Sequence, residues 1–227
     1  MQGLIELLQQ YNVLSAFWMT IRLTLLSALG ALVIGTVIAV MRVSPIPSLQ
    51  RFGAAYVTLI RNTPLTLIVT FCVLGLYLFM NLRLLPPTVD PRAQLFIWAI
   101  IALSGYHATF VAEGIRSGIN TVPSGQAEAA RAVGLTFGQS LTQVVLPQAM
   151  RAAITPLGNT FIALTKNTTV VSAVGVAEAS YLMKNMIEFS PQHLYAIFFL
   201  MALGFVILTL PAGLLFSWAS TKWQVQR

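Results

Sequence analysis

Gly125-Gln126-Ala127-Glu128-Ala129-Ala130-Arg131-Ala132-Val133-Gly134-Leu135 stands between two long apolar runs and has a helical pattern of its own. Gln126 to Val133 predicts a short helix: it is rich in alanine, the best helix former. Glu128 sits near its start, where the helix dipole favours negative charge. Gly134 is a natural stop, because glycine accepts the left-handed conformation that ends many helices. A second amphipathic stretch, Phe137–Val145, follows, and Pro147 is placed to open another helix, where the amide it lacks has no intrahelical partner anyway. Ala127, Ala130 and Gly134 give the first helix a low-profile face that suits a cleft on another protein. A helix lying at a membrane surface is the alternative reading.

In both directions from this segment the chain turns apolar. Of 227 residues, 57% are hydrophobic and 8% charged, and the mean hydropathy is +0.80. A soluble domain carries about 25% charged residues, so this chain lacks the polar surface that water requires. Five stretches reach the roughly 20 apolar residues that a bilayer span needs. They are about Ala16–Met41, Pro64–Leu82, Gln94–Glu113, Ala152–Ala177 and Leu194–Ala219, the fourth interrupted by the polar run Thr165–Thr169 and the fifth holding Pro211. The expectation is an all-α membrane protein of five transmembrane helices, a single domain over 1–227, with a long loop from about Gly114 to Arg151. Met1–Gln10 lacks the basic start of a cleaved signal peptide, so none is expected.

The net charge of +7 is not a nucleic-acid footprint, because the basic residues stand singly and form no stripe. They mark topology instead. With the N-terminus outside, Arg42, Arg51, Arg61, Arg116, Arg131, Arg151, Lys222 and Arg227 lie inside, against Arg83, Arg92, Lys166 and Lys184 outside, with Arg22 inside span one and snorkelling outward. The positive-inside bias therefore favours N-out and C-in, with the long loop cytoplasmic. Ser27, Ala31, Gly35 and Ala39 recur every four residues along span one, a small-residue stripe that lets another helix approach closely; Gly114 and Gly118 repeat the spacing. The lone Cys72 excludes an intramolecular disulfide and a cysteine metal site, and reads as a packing residue. No metal site is expected.

Ionisable groups within a span are costly and point to function. Glu113 and Arg116 lie three apart on one helical face, near the boundary that also carries Arg61; a structural ion pair and a gate contact are both open readings. Asn159 lies two turns before Lys166, and Lys166, Asn167, Thr168 and Thr169 are read as a break that lines either a substrate path or a polar interface between two subunits. His107 is a path residue or a satisfied packing group. No Ser/His/Asp set, Cys/His set, HExxH or carboxylate pair suggests an enzyme, and the absence of GxxxxGK[ST] means that ATP is not held here by such a loop. A self-sufficient secondary transporter or channel is the competing class, although no inverted halves are visible.

Glu128-Ala129-Ala130, three residues, Gly134, nine residues, then Val144-x-Leu146-Pro147 resembles the EAA signature of ABC importer permeases, with Val144 replacing the usual isoleucine. Arg61-Asn62-Thr63-Pro64-Leu65, Ala112-Glu113-Gly114-Ile115-Arg116-Ser117-Gly118-Ile119 and Lys166-Asn167-Thr168-Thr169-Val170 look like the polar amino acid permeases, the histidine, glutamine, glutamate and arginine group. The wording is most similar to actinobacterial glutamate permease subunits. Where that family more often has Lys-Asp-Ser/Thr-Ser-Leu, this chain lacks the acid. The resemblance implies a type I ABC importer permease fold in a bacterial plasma membrane, and uptake of glutamate or glutamine. It implies a coupling helix carried by Gln126, Ala127, Glu128, Ala129, Ala130, Arg131, Gly134 and Leu135. It further implies two ATP-binding subunits, a second homologous or identical permease, an extracytoplasmic substrate-binding protein and surrounding lipid. No cofactor is implied on this chain, since ATP and Mg belong to the partner ATPase.

Overall fold

The first apolar run forms a single helix, α1 (Val13–Val43), in the computed structural model, which describes residue 7 and residues 10–223. The side chain of Asn12 accepts the Ser15 amide at 3.0 Å and so caps its start. Pro45 and Pro47 end it, and Pro47 opens α2 (Pro47–Asn62), which buries only Gly53 and Val57. At Thr63-Pro64 the chain turns by 100° into α3 (Leu65–Phe79), whose second half winds in wider π-type turns from Phe71. Asp90 accepts the Arg92 amide at 2.8 Å and caps α4 (Pro91–Ile119).

The long loop is helical almost throughout: α5 (Ser124–Ala132), α6 (Phe137–Ser140), wide turns at Leu141–Val145, then α7 (Leu146–Ala152) with Pro147 in its first turn. Helix α8 (Ile154–Asn167) continues as tighter 3-10 turns over Thr168–Val174 and stops at Gly175, where φ is +85°. Helix α9 (Ala179–Phe189) is bent 54° from it, and α10 (Leu194–Lys222) closes the chain. Helices α1, α4 and α10 are long and apolar enough to cross a membrane, and the two bent pairs raise the number of crossings to as many as five. No strand occurs among the described residues. The readings of Met1–Gln10 and of Arg227 fall wholly or almost wholly outside those residues.

The expected break in span four is corrected by the structure. The polar run does not interrupt the helix, because its hydroxyls bond within it: Thr165 donates to Phe161 O at 2.9 Å, Thr168 to Thr165 O at 2.8 Å and Thr169 to Lys166 O at 2.8 Å. The helix tightens at Thr168 and bends only after Gly175. Span three also outruns its expected end at Glu113, reaching Ile119 and taking the first residues of the loop into the helix.

Packing centres on α1 against α4. Ser27, Ala31, Gly35 and Ala39 are all buried, and a Cβ on Gly35 would lie 2.6 Å from Val111. The stripe is therefore a seam in which two backbones come close, and Ser104 donates across it to Ser27 O at 3.3 Å. Cys72 is buried in the cluster built by Leu23, Val69, Trp98, Leu103 and Val171. Helix α10, by contrast, buries only Ile197 and Met201 and is apolar all round, the pattern of a span that faces lipid.

Candidate functional site

Helix α5 stands out from the rest of the molecule. Its C-terminus is a Schellman turn: Gly134, at φ +92°, donates its amide to Arg131 O at 3.0 Å, and Leu135 donates to Ala130 O at 3.1 Å. Ala130 is buried and Ala127 half-buried, against the turns Leu141–Val145 beneath. The outward face is thus Glu128, Ala129, Ala132 and Val133, and of the Ala127, Ala130 and Gly134 face read from the sequence only Gly134 is exposed. The small side of the helix lets it lie flat on its own loop, and Val133, 80% exposed, is left as an apolar tip. Gln148 donates to the Gln126 side chain and, at 2.9 Å, to Val144 O, fastening α5 to α7. Arg131 is exposed. Helix α7 in turn presses on α4, since any Cβ on Gly118 would collide with the Ala149 carbonyl. Helix α5 is thus linked to α4 through α7.

Near the same end of α4, Glu113 accepts from two arginines. Arg116 Nη2 lies 3.1 Å away, and Arg42 of α1 forms the closer pair. Arg61 is not a member of this cluster. Its guanidinium sits 5.6 Å from the centroid of the Phe110 ring, a cation–π distance.

Between α4 and α8 lies a cavity of about 210 Å³, lined by Tyr106, His107, Phe110, Asn159, Thr160 and Asn167 among others. His107 Nδ1 is 2.9 Å from Leu103 O, which can only accept, so the ring carries its proton there. Nε2 then accepts from the Asn167 amide, 3.1 Å away, joining the two helices. His107 is at once packed, satisfied and part of the cavity wall. The predicted set separates around this cavity. Asn159 and Asn167 line it, whereas Lys166 is exposed outside its lining, Thr168 is fully buried and Thr169 bonds back to its own helix. The cavity can offer amide, hydroxyl and aromatic groups to a polar solute, with no charged side chain in its wall.

Residues 31–224 match the family described as the binding-protein-dependent transport system inner membrane component. The chain belongs to this family. It is a multi-pass permease subunit of the plasma membrane rather than an enzyme, and the family implies an ATP-binding partner and a substrate-binding protein. This permease is 52% identical over 208 residues to the glutamate transport system permease protein GluC of Corynebacterium glutamicum, covering 89% of this chain and 90% of that one. It is 34% identical over 201 residues to the probable glutamine ABC transporter permease protein GlnM of Bacillus subtilis, with 88% of each chain covered. Among solved structures it superposes on an amino acid ABC transporter crystallised with histidines, at TM-score 0.80 and 28% identity, over 96% of this chain and 97% of that one. A methionine ABC transporter, MetNI, shares the fold at TM-score 0.72 and 20% identity over 96% and 98%.

Sequence reasoning missed several residues of this permease. Arg42 was read only as a topology signal, because its partner lies 71 positions away. Tyr106 and Phe110 passed as span residues. Glu178, fully buried, caps α9 by accepting the amides of Ser180 and Tyr181, each at 2.9 Å, while Thr20 of α1 accepts the Ala179 amide at 3.2 Å. An acid three residues after Gly175 and just ahead of a helical run was a legible capping signal.

Proposed function

We propose that this permease carries glutamate, working with two ATP-binding subunits, a second identical or homologous permease and an extracytoplasmic binding protein. The observation that carries the reading is the 52% identity with a glutamate permease over 90% of its length. Helix α5 is the docking element for the ATPase, which holds ATP and Mg, and its outward Glu128, Ala129, Ala132 and Val133 make the contact. Eight basic residues against four support an orientation with the start of α1 outside and the α5 loop and C-terminus inside. The cavity at Tyr106, His107, Asn159 and Asn167 supplies this subunit's wall of the path. Lys166, exposed beside Asn167, supplies a cation toward an anionic solute. A glutamine importer is the second reading, favoured by the uncharged amide and hydroxyl lining of the cavity and by the likeness to GlnM.

The test is uptake of labelled glutamate into cells lacking their own glutamate importers and supplied with this permease and its partner subunits. Uptake that requires ATP and is competed by unlabelled glutamate far better than by glutamine or arginine is the expected result. Stronger competition by glutamine would move the assignment to the second reading, and uptake without the ATPase would sink both.

A further inference from the structure

Two apolar hollows of about 390 Å³ and 210 Å³, sharing Phe161 and Phe216 in their walls, follow one another along a crevice between α1, α8 and α10. Along α1 it runs from Ile21 to Leu32, about 16 Å of helix. One leaflet of a bilayer's hydrocarbon core is about 15 Å deep. Leu208, Ala212 and Leu215 form the α10 wall, and Met150 and Leu157 close the end nearest the α5 loop. Three hydroxyls occur in the lining, and each donates to its own helix: Thr24 to Thr20 O, Thr160 to Pro156 O and Thr165 to Phe161 O, all at 2.9 Å. A water needs two to four polar partners and would not find them here. An empty crevice would forfeit dispersion contacts along both walls.

The charges at one end suggest what the hydrocarbon is attached to. Arg151 directly follows the lining Met150, and Lys222 stands about 9 Å beyond the lining Phe216 along α10. The Lys222 ammonium lies 4.8 Å from the Trp218 ring centroid, the aromatic and basic pairing of a membrane–water boundary. Basic pockets at the ends of transmembrane helices attract anionic lipid head groups. We propose that this crevice binds one acyl chain of an anionic phospholipid, with its phosphate held at the Arg151 and Lys222 end. Thr160 lines both the crevice and the polar cavity, so α8 is a wall one helix thick between lipid and solute path. The bound chain buttresses that wall.

The importer, assembled with its ATPase, is reconstituted in phosphatidylcholine vesicles that hold a trace of phosphatidylglycerol with a photoactivatable acyl chain. Labelled positions are mapped after irradiation. Labelling at Phe161, Leu208 and Ala212 should saturate, and unlabelled phosphatidylglycerol should compete roughly tenfold better than phosphatidylcholine. Labelling at the exposed Leu210 and Leu214 should follow bulk lipid. Ala212→Phe, which fills the crevice, should remove the saturable part. Arg151→Gln combined with Lys222→Gln should keep it but lose the head-group preference. If Ala212→Phe does not accumulate, the competition experiment decides alone. Non-saturable labelling equal at both sets of positions would overturn the proposal. Crevice labelling confined to the isolated chain, and lost in the assembled importer, would overturn it in favour of a partner helix.

Discussion

Glu113 holds two arginines, and only one of the two pairings joins separate helices. Arg116 lies one turn along α4, while Arg42 comes from the end of α1, and both Arg42 and Glu113 are mostly buried, at 16% and 26% side-chain exposure. A thermal-unfolding double-mutant cycle with Arg42→Ala and Glu113→Ala should therefore give a coupling of about 1–2 kcal/mol, between the ranges for exposed and buried pairs. The Arg61→Ala and Glu113→Ala pair should add within about 0.5 kcal/mol, since Arg61 rests on Phe110 instead. A coupled Arg61 would restore the cluster read from the sequence. At Lys166 the expected outcome concerns transport. Lys166→Gln keeps polarity and removes a charge that lies outside the cavity lining, so assembly and ATPase stimulation should persist while glutamate uptake falls more than glutamine uptake. Equal losses for the two solutes would make Lys166 structural. At this scale the sequence revealed which residues were expensive and, within one helix, that Glu113 meets Arg116, but not the partners on other helices. Asn167 and His107 are 60 positions apart, and no spacing rule links their amide and imidazole.

Among the elements, α5 is the one whose form depends most on a single residue. Gly134 needs its left-handed φ of +92°, yet nothing lies within 4 Å of where its Cβ would be. A substitution there is thus a test of backbone conformation and not of space. Gly134→Asn, which tolerates that conformation, should retain ATPase co-purification. Gly134→Val should lose about 1–2 kcal/mol of local stability from the left-handed strain and, with it, most of the docking. If both variants dock alike, the turn is not what presents the helix. Helix α5 was legible because alanine content, an early acid and a stop glycine agree. Helix α2 was not, because Arg51 and Arg61 keep it out of any search for apolar runs, and its identity as a separate helix emerges from the 100° turn at Pro64. The supposed break in α8 was misread because threonine can satisfy its hydroxyl on its own helix, so a polar run need not interrupt a span.

At the scale of the whole molecule the apolar runs foretold an all-helical chain in which α1, α4 and α10 are each long enough to cross a bilayer, since hydrocarbon demands that backbone polar groups be satisfied within each segment. The proposed orientation, with the α5 loop inside, rests on charge alone and is directly measurable. With Cys72 replaced by alanine, a cysteine at exposed Thr88 should react with an impermeant reagent in intact cells, and one at exposed Ser124 should react only after lysis. Labelling of the Ser124 position from outside would invert the topology. The contrast between α4 and α10 bears on how such a chain comes to be made. Helix α10 has no Asp, Glu, His, Lys or Arg before Lys222 and buries only two side chains, so it can leave the translocon for lipid on its own apolarity. Helix α4 carries Glu113, Arg116 and His107 and is a poor candidate for solitary insertion. Its natural receptor is the groove of Ser27, Ala31, Gly35 and Ala39, with Arg42 at the end of it, and that groove belongs to the helix synthesised first. Order of synthesis thereby acts as a chaperone: α4 emerges to a partner already waiting in the membrane, and a permuted chain that delivered it ahead of α1 would leave Glu113 with Arg116 alone and its packing face without a groove.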